Sequence, residues 1–393
     1  MTNIQYKMKN VLVICGPTAS GKTSLALSIA KEYINCHSGS QSRLGDLDPE
    51  SRSSSLRGVK RRGNLTPPSS VHILSADSSP VIPDLIRDPS PSVIASPDIA
   101  GRGNLTPPTR VNILSADSRQ IYKDLDVVTG KDLPLDLSPN IKFFGLDLVS
   151  HDQPFNLSDY VRYAKKVIQE SLDKNIPLII VGGTGLYLKA ITTNLLSVNV
   201  PPDKVLRKSL EKLDLISLQK KLKQINLEKF LSLNHSDVNN PRRLIRAIEI
   251  SSSSSTGSLP VIPAKAGIHQ ITQPNFHWIG LRQDKVVQNT SIRQRVIDRL
   301  DTGALEEVER LIKEYPEGTL SLFTSLGVKQ IIEYLNKKIS REELVDQWSA
   351  TEIDYARRQT VWFQKQPGII WYDKSKVNKK LVEKLARIFK QND

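Results

Sequence analysis

The chain is poor in the residues that staple or metallate small folds. It has two cysteines, Cys15 in an apolar run and Cys36 in a polar stretch, too few for a disulfide framework or a zinc site and in keeping with a reducing compartment. Its six histidines are scattered with no pair at metal-ligand spacing, so they read as ordinary structural residues. No apolar run reaches spanning length, and Met1-Thr2-Asn3-Ile4-Gln5 opens no signal-peptide hydrophobic region. A soluble, cytoplasmic protein without a membrane partner is therefore expected. Acidic residues are also in short supply. Asp and Glu number 41 against 55 Lys and Arg, a formal net charge of +14, which points to a polyanionic partner, nucleic acid before membrane. A generally basic proteome is the plainer explanation of the same charge.

What the chain does have is Gly16-Pro17-Thr18-Ala19-Ser20-Gly21-Lys22-Thr23, the G-x-x-x-x-G-K-[ST] spacing of a phosphate-binding loop. The apolar run Val11-Leu12-Val13-Ile14-Cys15 before it reads as a buried strand. Ser24-Leu25-Ala26-Leu27-Ser28-Ile29-Ala30 after it reads as the first turns of a helix. Such a loop wraps backbone N–H groups and a helix N-terminus around a diphosphate, and adds one ammonium, Lys22, and one Mg²⁺-ligating hydroxyl, Thr23. The pattern leaves open which diphosphate is bound and what is done to it.

The length of 393 residues allows one large domain or two to three ordinary ones. Composition divides it. Residues 36–110 hold ten of the 23 prolines and little periodic hydrophobicity, and read as a low-complexity, disordered insertion. This segment carries a duplication: Arg62-Gly63-Asn64-Leu65-Thr66-Pro67-Pro68 with Ile73-Leu74-Ser75-Ala76-Asp77-Ser78 recurs as Arg102-Gly103-Asn104-Leu105-Thr106-Pro107-Pro108 with Ile113-Leu114-Ser115-Ala116-Asp117-Ser118. Two copies do not make a solenoid; duplication at an insertion boundary accounts for them. A serine run and Leu259-Pro260-Val261-Ile262-Pro263 mark 251–275 as a second inserted linker. Between these pieces strand and helix alternate over 1–35 and 111–201, with strands at 111–115, 141–149 and 177–181 and an amphipathic helix at 156–174 that Ser158 could cap. The fold class expected is α/β, a phosphate-loop doubly wound parallel sheet with ligands at the strands' carboxyl ends. A helical insertion occupies 202–250, with Pro241 opening a helix. Residues 276–393 return to the core with a strand at 276–281, a helix capped by Ser340-x-x-Glu343, a short strand at 368–372 and a terminal helix.

Asp117 ends a strand near the loop, where a carboxylate can take a proton from a nucleophile or ligate Mg²⁺ through water; a simple N-cap is the plain alternative. Asp77 repeats the local pattern but runs into Ser79-Pro80, and reads as a non-functional duplicate. Arg242 and Arg246 share a helix face with Leu244, Ile245 and Ile248 behind, which suits phosphate contacts or a solvated basic face equally. Arg293, Arg295 and Arg299 form another basic group. Arg357 and Arg358 accompany Tyr355 and Trp362, where packing of Trp362 competes with base stacking.

Taken together, the residues resemble a family. Gly16 to Thr23, Ser115-Ala116-Asp117-Ser118-Arg119-Gln120-Ile121-Tyr122, Val181-Gly182-Gly183-Thr184-Gly185-Leu186-Tyr187, Arg243-Leu244-Ile245-Arg246-Ala247-Ile248-Glu249, Leu326-Gly327-Val328-Lys329 and Arg358-Gln359-x-x-Trp362-Phe363 are similar, in order, to the segments of the tRNA dimethylallyltransferases. The resemblance implies transfer of a dimethylallyl group from dimethylallyl diphosphate to N6 of adenosine 37 in the tRNA anticodon loop, with Mg²⁺ as cofactor and a monomer as the acting form. Gly16, Pro17, Thr18, Ala19, Ser20, Gly21, Lys22 and Thr23 would hold the diphosphate. Asp117 would take the N6 proton, with Thr18 and Arg295 as further catalytic residues. Asp117, Ser118, Arg119, Gln120, Thr184, Arg207, Arg242, Arg243, Leu244, Ile245, Arg246, Thr324 and Lys329 match its tRNA-contact segments. Three departures stand out: Val328 replaces an aromatic, Phe143-Phe144 replace a histidine-containing run, and the zinc finger of some eukaryotic relatives is absent. A nucleoside-type kinase using the loop on ATP, and an inactive RNA-binding relic, are the competing readings.

Overall fold

The structure, a computed structural model, describes residues 9–37, 110–134, 136–193, 195, 198, 200–255 and 274–389. The expected insertion from 38 to 109, with the first copy of the duplicated segment and Asp77, lies outside the described residues, as do 256–273 of the expected linker. Strand β1 (Asn10–Cys15) leads through the loop at 16–21 into helix α1 (Lys22–His37). There follow β2 (Val111–Ser115), β3 (Ile141–Phe144), α2 (Leu157–Asp173), β4 (Leu178–Gly182) and α3 (Gly185–Thr192). A helical run comes next: α4 (Lys204–Leu210), α5 (Leu215–Ile225), α6 (Leu227–Leu231), α7 (His235–Val238) and α8 (Pro241–Ser255). The chain returns through β5 (Asn275–Arg282) to α9 (Lys285–Asp301), α10 (Ala304–Glu314), α11 (Leu320–Phe323), α12 (Val328–Leu335) and α13 (Arg341–Gln364), and closes with β6 (Ile370–Asp373) and α14 (Lys379–Ala386).

The six strands form one parallel sheet in the order β3-β2-β4-β1-β5-β6. β1 is central and buried along its whole length, which is why it reads as an unbroken apolar run rather than an alternating one. Its side chains still alternate. Leu12 and Ile14 enter a core with Leu25, Ile29 and Tyr33 of α1 and with Leu385 of α14; Val11, Val13 and Cys15 enter another with Tyr160, Ala164 and Ile168 of α2 and Leu188 of α3. A third core gathers α9, α10, α12 and α13 around the fully buried Trp348, and a small fourth one, including Leu218, Leu222, Leu244 and Ile248, holds the helical run together. Each such side chain contributes about 1.5–3 kcal/mol on burial. No helix among the described residues is long and apolar enough to cross a membrane.

Several element ends differ from the sequence expectation, each for a local reason. α2 is capped by Asn156, not Ser158: the Asn156 side chain accepts from the Ser158 and Asp159 amides, and Asp159 reaches back to the Asn156 N–H in a capping box. Ser158 instead donates its hydroxyl to the carbonyl of Val198 at 2.9 Å. β3 stops at Phe144 because Gly145 and Asp147 turn with positive φ; Val149 keeps only a bridge to Tyr122. α1 runs on to His37, two residues into the segment read as insertion. α8 likewise runs through Ser255, into the segment read as linker, with Ser251 buried and Ser253 bonding back to the Glu249 carbonyl at 3.0 Å. The final strand starts at Ile370, after the turn at Gly368. The capping box of Ser340 and Glu343 and the Pro241 start are as read from the sequence.

Candidate functional site

The carboxyl ends of β1, β2 and β4 open into a cleft of about 700 Å³ whose lining includes Thr18, Lys22, Thr23, Asp117, Gly183 and Arg295. Its floor is the loop at 16–21, which leaves β1 sharply. Gly16 has φ of +140°, and a Cβ there would collide with the carbonyl of Leu281, so only glycine lets the loop start against β5. Gly21 at +85° completes the turn into α1. Side chains from distant elements fasten this loop. The Thr18 N–H donates to Gln359 Oε1 of α13 at 2.8 Å, and Gln288 Nε2 of α9 donates to the Thr18 carbonyl at 3.1 Å. Lys374, just past β6, reaches the Ala19 carbonyl at 3.4 Å.

The positive charges of the cleft are partly restrained. Lys22 Nζ donates to the Pro17 carbonyl at 2.6 Å. Burial, helped by the nearby Arg295 guanidinium and opposed by Asp117, pulls its ammonium down to about 8. Arg295 donates to Thr18 Oγ1 at 3.2 Å and pairs with Asp132 at 2.6 Å. One turn further along α9, Arg299 is buried against Glu352 at 2.9 Å and supports the wall behind Arg295. An anion entering here meets an ammonium and a guanidinium already held in place.

Asp117 follows β2, with one carboxylate oxygen accepting from the Arg119 N–H at 2.9 Å. Its neighbours are tied down. The Ser118 N–H donates to Thr184 Oγ1 at 3.1 Å, Arg119 donates to Thr324 Oγ1 at 2.7 Å, and Gln120 accepts from Ser115 Oγ at 3.1 Å and donates to the Gly130 carbonyl at 2.9 Å. Thr184, at the start of α3, makes no side-chain bond to its own helix and serves Ser118 instead. Thus Thr18, Lys22, Thr23, Asp117 and Arg295 share one cleft, with Ser118, Arg119, Gln120, Thr184 and Thr324 bonded around Asp117.

The remaining expected nucleic-acid residues are arranged differently. Glu249, 1% exposed, accepts from Nε and Nη2 of Arg207 at 2.7 Å each and from Arg246 at 3.1 Å, while Arg246 also donates to the Val200 carbonyl. The paired guanidinia hold the carboxyl of Glu249 below its ordinary value against the opposing effect of burial, which is the largest single influence on it. Arg207 and Arg246 therefore carry a structural task. Arg243 pairs with Asp237, and Lys329 lies 3.8 Å from Glu333. Arg242 is exposed. Leu244 and Ile245, read as tRNA contacts, are core residues closed to a ligand, as the apolar stripe of α8 requires. Val328 is fully buried beside Trp348, so no outward contact passes through its side chain. Trp362, half-buried, packs over Gly185, where a Cβ would strike its ring. Phe143 lines the cleft.

Four site residues had no role in the sequence reading: Gln288, Asp132, Lys374 and Gln359. Gln359 alone left a signal, an uncharged polar side chain on the buried face of a long amphipathic helix, inside one of the motifs that carried the resemblance.

Comparison with known proteins accords with this geometry. The sequence model of the family described as IPP transferase matches residues 120–366. The tRNA dimethylallyltransferase of Acetivibrio thermocellus is 32% identical over 373 residues, covering 93% of this chain and 92% of that protein. That of Methylacidiphilum infernorum is 32% identical over 281 residues, covering 69% and 82%. The fold is similar to the crystal structure of the full-length tRNA isopentenylpyrophosphate transferase from Bacillus halodurans, with a TM-score of 0.56 at 20% identity over 98% of both chains. It is also similar to a eukaryotic dimethylallyltransferase acting on tRNA, with a TM-score of 0.60 at 18% identity over 93% of this chain and 74% of that one. With the family's pattern running from the segment after Asp117 to the end of α13, and a relative matched almost end to end, the chain belongs to the IPP transferase family.

Proposed function

We propose that the chain transfers a dimethylallyl group from dimethylallyl diphosphate to N6 of adenosine 37 in tRNA, releasing diphosphate. The observation that carries this reading is the single cleft that holds Thr18, Lys22, Asp117 and Arg295. The loop at 16–23 binds the diphosphate through its backbone N–H groups, the N-terminus of α1 and Lys22. As the C1–O bond breaks, its electron pair leaves with the diphosphate, and the Lys22 ammonium and Arg295 guanidinium stabilise the charge growing on that oxygen. The N6 lone pair forms the bond to C1, and the proton displaced from N6 passes to the Asp117 carboxylate.

The donor set suits Mg²⁺ carried in on the substrate. Among the described residues no group of three or more His, Cys, Asp and Glu could hold a metal. The Thr23 hydroxyl, diphosphate oxygens and water would complete its shell, and the ion would neutralise charge on the leaving diphosphate. The acceptor amine must leave its stack to reach a cleft, which favours an adenosine of a loop over one in a helix. Ser118, Arg119, Gln120, Thr184 and Thr324 are placed beside Asp117 to receive it.

The test incubates purified protein with dimethylallyl diphosphate, Mg²⁺ and a tRNA bearing adenosine 37, and identifies the product nucleoside by mass spectrometry. The parent is expected to form the prenylated nucleoside, and Asp117→Ala to lose about 10²–10⁴-fold in kcat. ATP-dependent phosphorylation without prenyl product would overturn the reading in favour of a kinase, and an inactive parent would favour the RNA-binding relic. Full activity in Asp117→Ala would remove its role as base and return attention to Asp77.

A further inference from the structure

The diphosphate loop and the segment bearing Asp117 are joined by a series of hydrogen bonds that passes through α13. Gln359 is 6% exposed and uses both ends of its carboxamide: Oε1 accepts from the Thr18 N–H at 2.8 Å and Nε2 donates to the Gly183 carbonyl at 2.9 Å. Gly183 approaches so closely that a Cβ on it would strike Nε2. The next residue, Thr184, donates its N–H to the Ala116 carbonyl at 3.2 Å and accepts from the Ser118 N–H at 3.1 Å, one residue to either side of Asp117. Tyr355, one turn before Gln359 on the same helix, brings its hydroxyl beside Thr184. The ends of β1, β4 and β2 are thus linked in turn: Thr18, Gln359, Gly183, Thr184, then Ala116 and Ser118.

We infer that Gln359, with Tyr355 beside it, is a positioning residue that sets the separation between the leaving-group side of the cleft at Thr18 and the acceptor side at Asp117. This rests on the prenyl-transfer reading. The choice of side chain fits the task, because a carboxamide presents a donor and an acceptor on one rigid plane. A carboxylate would keep the bond to the Thr18 N–H but turn lone pairs toward the Gly183 carbonyl, and a thioether would satisfy neither. In-line displacement at C1 needs nucleophile, carbon and leaving oxygen close to alignment, and a displacement of about 1 Å costs on the order of 10²-fold in rate. Gln359 touches neither reacting atom, so its contribution falls on the chemical step and not on tRNA capture.

The experiment measures single-turnover prenyl transfer at saturating dimethylallyl diphosphate and enzyme, beside tRNA affinity by filter binding, for the parent, Gln359→Met, Gln359→Glu and Tyr355→Phe. The Gln359 variants are expected to transfer at least tenfold more slowly, with tRNA affinity within about threefold of the parent, as expected for a group that acts through geometry. Tyr355→Phe removes one oxygen from a half-buried ring and should slow transfer several-fold, which keeps the test available if a Gln359 variant does not fold. Transfer within twofold of the parent in folded Gln359 variants overturns the inference and leaves the function intact. Equal losses in transfer and tRNA affinity would also overturn it, by assigning Gln359 to general scaffolding. A parent that transfers no prenyl group overturns both readings.

Discussion

Lys22 holds its charge where charge is costly. Its ordinary value is 10.5, and burial next to Arg295 brings it to about 8 in the folded protein. Between those two values the unfolded chain keeps a proton that the folded chain has released. The Lys22 contribution to stability therefore rises as pH climbs through that window and is fully present only above the unfolded value, a difference on the order of 3 kcal/mol. At neutral pH the buried ammonium works against the ligand-free fold. Lys22→Met should accordingly raise the melting temperature of the ligand-free protein at pH 7 while abolishing diphosphate binding. In the active enzyme, kcat/KM for dimethylallyl diphosphate should fall as pH rises past about 8, because that parameter reports the free enzyme. Lys22→Arg should move this limb to higher pH. A profile flat to pH 10 in the parent would dissociate Lys22 from diphosphate binding. Lys22 was legible in the sequence because its motif is local, whereas Gln359 and Asp132 meet Thr18 and Arg295 across 341 and 163 residues, a distance that no periodicity reports.

Among the elements, α9 and α13 are the pair whose union decides whether the cleft has a back wall. They are joined by Arg299 and Glu352, both 8% exposed, with the Arg299 guanidinium also 5.9 Å from the centre of the Trp348 ring. Removing one partner leaves the other charge buried and unpaired, so Glu352→Ala should cost about 3–5 kcal/mol in urea denaturation. The double replacement Arg299→Met with Glu352→Leu should recover much of that loss. α8 offers a matching contrast. Arg207→Ala should lower stability because it strips a partner from the buried Glu249, whereas Arg242→Ala, on an exposed position, should weaken tRNA binding and leave the melting temperature unchanged. Apolar runs, caps and prolines made most element positions readable. The roles of the arginines on α8 were not readable, since a basic helix face looks the same whether it meets phosphate or an acidic residue of its own fold. The cap of α2 was misplaced by two residues because Asn156 and Ser158 are both good cap residues, and only the capping box with Asp159 separates them.

For the whole molecule, the excess of 55 basic over 41 acidic residues implies that tRNA capture is largely electrostatic. The affinity for tRNA should fall with salt, with a log–log slope of about −3 or steeper, while the affinity for dimethylallyl diphosphate, bound in a partly enclosed cleft, should change less. Equal salt dependence would place the positive surface elsewhere than along the tRNA path. The α/β rhythm was legible because a parallel sheet covered on both faces writes its strands as apolar runs. The strand order was not, because it is set by crossovers that leave no local mark. The insertion reading makes its own demand: replacing 38–109 by a short Gly/Ser linker between α1 and β2 should retain prenyl transfer, and its loss would give that segment a part in the reaction.

The cleft draws Thr18 from the first sixth of the described sequence order and Gln359 from its last helix but one. During synthesis the loop, β2 and β4 leave the ribosome long before α13 exists to fasten them, and contacts of such long sequence range form late. A nascent chain ending before α13 should therefore hold neither diphosphate nor an ordered acceptor site. Assembly of the reaction centre is therefore a late event in the folding of this chain, and recovery of prenyl transfer on refolding should lag recovery of the far-ultraviolet circular dichroism signal.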